Sequence, residues 1–244
     1  MENRYLRALA AGLLGSTGLV ATSHSAIAQE KEPLFYYGVT VEQLEYRIGR
    51  NSDVYAWDGD ALAGTDDLKL RLQSKGEYEK DSSAFETLEN QLLLQTPIST
   101  FFDAKAGVRY DMPRGYDRLY GVLGVQGLAP QWFEIDADLF LSEKGDVSAR
   151  LDAEYELLIT NRIILTPAAE IDFAFSEDTE AEVGAGLSTA ELGLRLSYDL
   201  IDRAVSPYVG VHYERAFGDT ASFRRADGAD VDELFLVIGT RLLF

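Results

Sequence analysis

His212 and Glu214 are the pair with the clearest chemical capacity in this chain. Two positions apart on an extended segment, they fall on the same face, so the carboxylate can orient the imidazole. A hydrolase of the Ser-His-acid type also needs a serine in reach, and no serine is identifiable as that partner. Glu134 and Asp136 repeat the spacing with two carboxylates, which suits general acid/base work or, more simply, the solvated wall of a polar lumen. Carboxylates with one imidazole fit divalent cations, Cu(II) and Zn(II) among them. Cu(I) prefers thiolates or thioethers, whereas the chain has no cysteine and, beyond Met1, only Met112. Metal chemistry is therefore expected to be weak, oxygen-dominated and with the oxidised metal. Asp227, Asp230, Asp232 and Glu233 crowd a later stretch that would attract Ca²⁺, or simply meet water and bridged lipopolysaccharide. Arg150, Arg195 and Arg241, set among Asp152, Glu154, Glu191 and Glu214, read either as a selectivity lining or as an ion-pair network filling a narrow lumen.

The elements that must carry these groups are strands. From Trp132 to Thr160, Phe133, Ile135, Ala137, Leu139 and Leu141 alternate with Glu134, Asp136 and Asp138. After a turn at Ser142 to Asp146, Val147, Ala149, Leu151, Ala153, Tyr155 and Leu157 alternate with Arg150, Asp152, Glu154 and Glu156. A face this charged cannot pack on a soluble core, and an apolar face of about ten residues crosses a bilayer when tilted. The pattern predicts a hairpin of an outer-membrane β-barrel, apolar outside and polar inside.

The same grammar recurs at Phe35–Ile48, where it is least regular, and at Val54–Asp58, Leu68–Gln73, Phe85–Gln95, Phe102–Tyr110 and the Gly-rich Leu119–Gly127. It continues at Ile163–Phe175, Ala190–Leu200, Tyr208–Glu214 and Leu234–Phe244. The expected fold is all-β, a transmembrane outer-membrane barrel of about twelve antiparallel strands, or ten if the region before Gly64 does not pair. Arg195 must face the lumen, because an arginine facing lipid at mid-membrane costs about 2–4 kcal/mol. The aromatics Phe133, Tyr155, Tyr198, Tyr213 and Phe244 are assigned to the interface girdle and lipid face. Counting back from Phe244, the connections expected outside the cell, such as Ser176–Ser188 and Gly218–Asp232, are longer than those expected in the periplasm, such as Thr160–Arg162 and Thr96–Thr100.

Arg4 and Arg7 precede an apolar run from Ala8 to Val20, and Ala26-Ile27-Ala28 has the form of a cleavage site. Residues 1–28 are expected to be a signal peptide, Gln29–Pro33 a short periplasmic leader, and 34–244 the barrel. The formal net charge of −19 favours cations and repels nucleic acid.

Several segments carry a more specific likeness: VEQLEYR (Val41–Arg47), AWDGDA (Ala56–Ala61), GLAPQWFEIDAD (Gly127–Asp138), GDVSARLDAEYELLITNRIILTP (Gly145–Pro167), GLSTAELGLRLSYDL (Gly186–Leu200) and PYVGVHYERAFGDTA (Pro207–Ala221). Together they resemble the copper resistance protein B family. The resemblance implies a non-enzymatic outer-membrane barrel that binds copper ions or helps export them, alongside a periplasmic multicopper oxidase partner. Of the family's motifs it leaves Glu45, Asp58, Glu134, Asp136, Glu154, Glu191, His212 and Glu214 as candidate lumenal ligands, with copper held by oxygen and nitrogen. The family's Met- and His-rich leader is reduced here to Gln29–Pro33, and its tryptophan-and-double-glycine pattern to Leu62-Ala63-Gly64-Thr65. The alternative is a general narrow cation channel or structural barrel without metal specificity.

Overall fold

A computed structural model describes residues 34–244. The expected signal peptide and leader lie outside the described residues.

The strands are β1 (Tyr36–Ile48), β2 (Asp53–Gly64), β3 (Lys69–Glu79), β4 (Ala84–Pro97), β5 (Phe102–Asp111), β6 (Arg118–Ala129) and β7 (Phe133–Ser142). Then follow β8 (Val147–Glu154), β9 (Leu157–Leu158), β10 (Ile163–Ala174), β11 (Gly186–Tyr198), β12 (Val205–Ala216) and β13 (Asp232–Leu243). β8 and β9 are two halves of one barrel strand, since both pair with β10 in a continuous register. The break falls opposite Pro167, whose carbonyl accepts from Tyr155 N–H at 3.1 Å but which has no N–H to return. Twelve strands therefore wind round in antiparallel order, and β1 closes on β13, with Val39 and Phe244 exchanging backbone hydrogen bonds of 3.0 and 2.9 Å. The region before Gly64 does pair, so the ten-strand alternative is set aside.

Leu70, Leu92, Leu123, Leu192 and Leu236 all stand exposed on the outer wall, the side that faces lipid. The lumen holds the buried side chains. Most are polar or charged, but two apolar wedges also point inward: Leu93, Val122 and Phe140 on one wall, and Val54, Tyr208, Phe235 and Val237 on the other. The lumen is thus less uniformly polar than the sequence predicts.

Three bulges reset the alternation. Glu42 on β1, Glu86 on β4 and Ser188 on β11 are each the extra residue between register-matched neighbours. On β1, Tyr37 and Val39 face out before the bulge and Leu44 and Ile48 after it, so the apolar parity switches. The switch turns Glu42 and Gln43 both into the lumen, and the second bulge does the same for Glu86 and Thr87.

Five tight connections lie at the end where the chain terminates, and the two longest loops lie at the other. One of the long loops, read from the sequence only as a connection, forms helix α1 (Gly218–Ala226). Thr220 of α1 accepts a 2.9 Å hydrogen bond from Gly184 N–H in the neighbouring loop, and Arg224 reaches down to Glu214.

Candidate functional site

All the candidate residues except Glu45 line two cavities inside the barrel, stacked along its axis. One of about 420 Å³ opens toward the short-turn end and is lined by Asp58, Glu134, Asp136, Glu154, Glu191 and His212. The other, about 650 Å³, opens toward the long loops and includes Glu191 and Glu214. Arg47, Lys75, Glu89, Arg150, Glu170 and Glu191 line both cavities and so mark the constriction between them.

A belt of ion pairs crosses that constriction. Lys75 on β3 reaches Glu170 on β10 at 2.5 Å. Arg150 on β8 holds Glu89 on β4 at 2.8 Å and, on β10, Glu170 at 3.0 Å and Asp172 at 2.9 Å. Arg109 on β5 contacts Glu89 at 2.7 Å and Asp111 at 2.6 Å, and its guanidinium stacks 4.6 Å from the Phe140 ring. Lys75–Glu170 and Arg150–Glu89 cross the barrel and tie opposite walls together, while the other bridges join one strand or paired neighbours. Charged partners withdrawn from water in this way are stable only as complete sets.

Some candidates are bound up in such pairs. Glu45 accepts from Arg47 at 2.8 Å, Arg195 at 2.6 Å and the Tyr208 hydroxyl at 2.9 Å, which leaves its oxygens no outward role. Glu154 and Glu156 are held by Arg241 at 3.1 and 2.8 Å. Asp136 takes Lys105 at 2.6 Å, and Glu214 takes Arg224. Of the pairings expected within the lumenal set of Arg150, Arg195 and Arg241 with Asp152, Glu154, Glu191 and Glu214, Arg241 with Glu154 is made, whereas Arg195 turns to Glu45 and Arg150 to Glu89, Glu170 and Asp172. Asp58 lines the short-turn cavity beside its cross-strand neighbour Lys75. Glu134 sits on the same cavity wall near its rim. Among the described residues, no three His, Asp or Glu side chains are grouped closely enough to hold a metal ion together.

His212 is different. Its side chain is 5% exposed, and neither Nδ1 nor Nε2 has a hydrogen-bond partner among the described residues. Glu191 Oε2 lies 3.5 Å from Nε2, and Gly193, the cross-strand neighbour of His212, leaves the room that the Arg195 guanidinium fills. A buried polar group without a partner costs free energy, about 1–3 kcal/mol, which sets this ring apart from the paired candidates.

Register reveals a feature that sequence reading missed. Asp136, Asp152, Glu170, Glu191, Glu214 and Glu233 stand directly opposite one another on β7, β8, β10, β11, β12 and β13. At the ~5 Å spacing of opposed Cβ atoms and an effective dielectric near 20, each adjacent pair of carboxylates would repel by about 3 kcal/mol. The next row has the opposite character: Lys105, Gly124, Asp138, Arg150 and Asp172 alternate in sign, as cross-strand stabilisation favours. Glu134, Glu154, Ala168, Gly193 and His212 form the row on the other side. Each acid was visible in the strand alternation. Their alignment depends on registers between strands, which alternation alone does not supply.

Residues 35–244 match the family model described as copper resistance protein B precursor (CopB). The chain is similar to a copper resistance protein B homolog of Pseudomonas syringae pv. tomato (strain ATCC BAA-871 / DC3000), 36% identical over 225 residues, covering 92% of this chain and 75% of that protein. It is also similar to copper resistance protein B of Escherichia coli, 34% identical over 208 residues, 85% of this chain and 69% of that one. Among solved structures, the fold resembles a NanC porin at 11% identity, with a TM-score of 0.51 over 85% of this chain and 99% of that chain. A KdgM porin in complex with disordered oligogalacturonate gives the same TM-score and coverage at 10% identity.

Proposed function

This chain belongs to the copper resistance protein B family, and from that membership we propose that it takes Cu(II) into its acidic lumen as cargo and moves it out of the periplasm. The family and the outer-membrane type of barrel support a role in copper resistance at the outer membrane. The observation that carries the finer reading is His212, buried, unpartnered and set against Glu191 in a lumen rich in carboxylates. One imidazole among hard oxygen ligands favours Cu(II) over Ca²⁺ or Mg²⁺, and the lumenal wall offers no thiolate for Cu(I). We read the protein as a binding and passage device rather than an enzyme and assign no catalytic residue. A periplasmic multicopper oxidase, acting at the short-turn end, is the partner this reading implies.

The test is titration of the refolded barrel in detergent with Cu(II), Zn(II) and Ca²⁺, following the His212 ring resonances and comparing His212→Ala. Saturable Cu(II) binding lost in the variant supports the reading. Equal, weak responses to all three ions would leave a general cation channel, the runner-up, as the better description. In cells, loss of the gene should sensitise the organism to copper in particular, and His212→Ala with Glu214→Ala should weaken protection.

A further inference from the structure

The six-acid row runs through both cavities. Asp136 and Asp152 line the short-turn cavity, Glu170 and Glu191 line both, and Glu214 and Glu233 line the long-loop cavity. Its order along the wall is therefore also an order along the axis. Five strand spacings of ~4.8 Å, inclined by the ~40° tilt that barrel closure imposes, lift the row by roughly 15 Å, about half of a bilayer core. Each carboxylate is one strand spacing from the next, a distance a hydrated or partly dehydrated divalent cation can bridge from one pair to the following pair.

We propose that this row is the transit path of a divalent cation through the barrel, a stair of carboxylates entered at Asp136 and left at Glu233, with the Lys75 ammonium on Glu170 as the bar across its middle. The proposal rests on the copper reading above and specifies the route. Two observations beyond the acids themselves support it. The first is His212, buried and unpartnered, which points into the row beside Glu191. The second is the incomplete pairing of the row: Asp136 is held by Lys105, Glu170 by Lys75 and Arg150, and Glu214 by Arg224, which leaves the positions between them open. Among the described residues neither Asp152 nor Glu191 has an Arg or Lys ion-pair partner, so the steps on either side of Glu170 are the open ones. Lys75 comes from the opposite wall, on β3. A cation arriving at Glu170 replaces one positive charge with another, so the constriction can open without leaving a bare carboxylate.

The experiment uses the full barrel in lipid vesicles loaded with a Cu(II)-quenched dye, with Cu(II) added outside. Asp152→Asn and Glu191→Gln each remove one step, and Glu79→Gln removes a charge from the long-loop cavity at a position off the row. Heat-modifiable migration on gels checks that each variant is folded, and the two row variants serve as substitutes for each other if one fails to fold. Both row variants are expected to slow Cu(II) entry roughly tenfold, the lower end of what charge-focused pathways supply, with Glu79→Gln close to wild type. Lys75→Met is expected to speed entry. Equal slowing by Glu79→Gln and the row variants overturns the path while leaving copper passage intact. No Cu(II) entry above empty vesicles in the wild type overturns the path and the copper-passage reading together.

Discussion

Arg150→Met tests whether the ion-pair belt holds the barrel together. The substitution keeps the apolar stem of the side chain, ends it about where the guanidinium begins, and removes the charge that three carboxylates share. Removing one partner of a buried ion pair costs about 3–5 kcal/mol, because the remaining charge is left without compensation. Here each orphan keeps some support. Glu89 retains Arg109 at 2.7 Å, Glu170 retains Lys75 at 2.5 Å, and Asp172 accepts from the Thr189 hydroxyl at 3.0 Å. The cavities above and below also admit water. The expected loss therefore lies at the lower end, about 3 kcal/mol, or a factor of about a hundred in the unfolding equilibrium. Arg150→Lys should recover only part of it, since an ammonium is a point charge and cannot replace a forked donor between β4 and β10. Reversible urea unfolding in phospholipid vesicles, followed by the fluorescence of Trp57 and Trp132, measures both. An Arg150→Met barrel as stable as the wild type, within about 0.5 kcal/mol, is the size of an ordinary surface substitution and would show that the belt fills the lumen without bracing it.

Two further outcomes follow from other parts of the molecule. Leu123, 65% exposed near the middle of β6, faces lipid, so Leu123→Arg should destabilise the folded barrel in vesicles by about 2–4 kcal/mol; no loss would mean that this wall does not meet the hydrocarbon. In the loop between β10 and β11, the Glu182 carboxyl is pushed above its ordinary range by partial burial and by its hydrogen bond to Asp227 beyond α1. Because the shift is upward, the contact is complete below the ordinary carboxylate pKa and fades as pH rises through the raised value. Hydrogen exchange at Val183 and Gly184, corrected for intrinsic rates, should therefore be slower in mild acid than at neutral pH. Glu182→Gln should remove that dependence, and a wild-type loop protected equally at both pH values would refute the linkage.

The strands were legible because a wall with lipid on one side and water on the other imposes a strict period of two. Where that period fails, a bulge is the cause. β1 reads as the least regular strand because Glu42 is inserted in it, so one apolar set occupies odd positions and the next even ones. Helix α1 was hidden for another reason. GDTASFRRA is short and polar, with only Thr220 and Ala221 buried, so its hydrophobic signal is weak and its seat on the neighbouring loop is a tertiary fact. The lumenal acids were individually readable, but their bonds were not. Lys75 and Glu170 are 95 positions apart and meet only because closure of β1 on β13 brings β3 across from β10.

Closure also explains how a barrel tolerates six opposed acids on consecutive strands. Within a flat sheet, each would need a cation on its own strand or the next, and the alternating row of Lys105, Asp138, Arg150 and Asp172 meets that need locally. A closed wall adds a second source, because side chains from the far side converge on the axis. Lys75 from β3 serves Glu170 in this way, while Arg224 descends from α1 at the mouth to Glu214. The two row positions without an Arg or Lys ion pair among the described residues that lie nearest the middle, Asp152 and Glu191, are those beside open cavity. Hydration there takes the place of a counter-ion, at the high dielectric that weakens the repulsion between neighbours several-fold relative to a dry interior. The acid row and the partial filling of the lumen are therefore one arrangement. A fully packed lumen would leave Asp152 and Glu191 dehydrated and unpaired, and a fully open one would deprive Glu170 of Lys75.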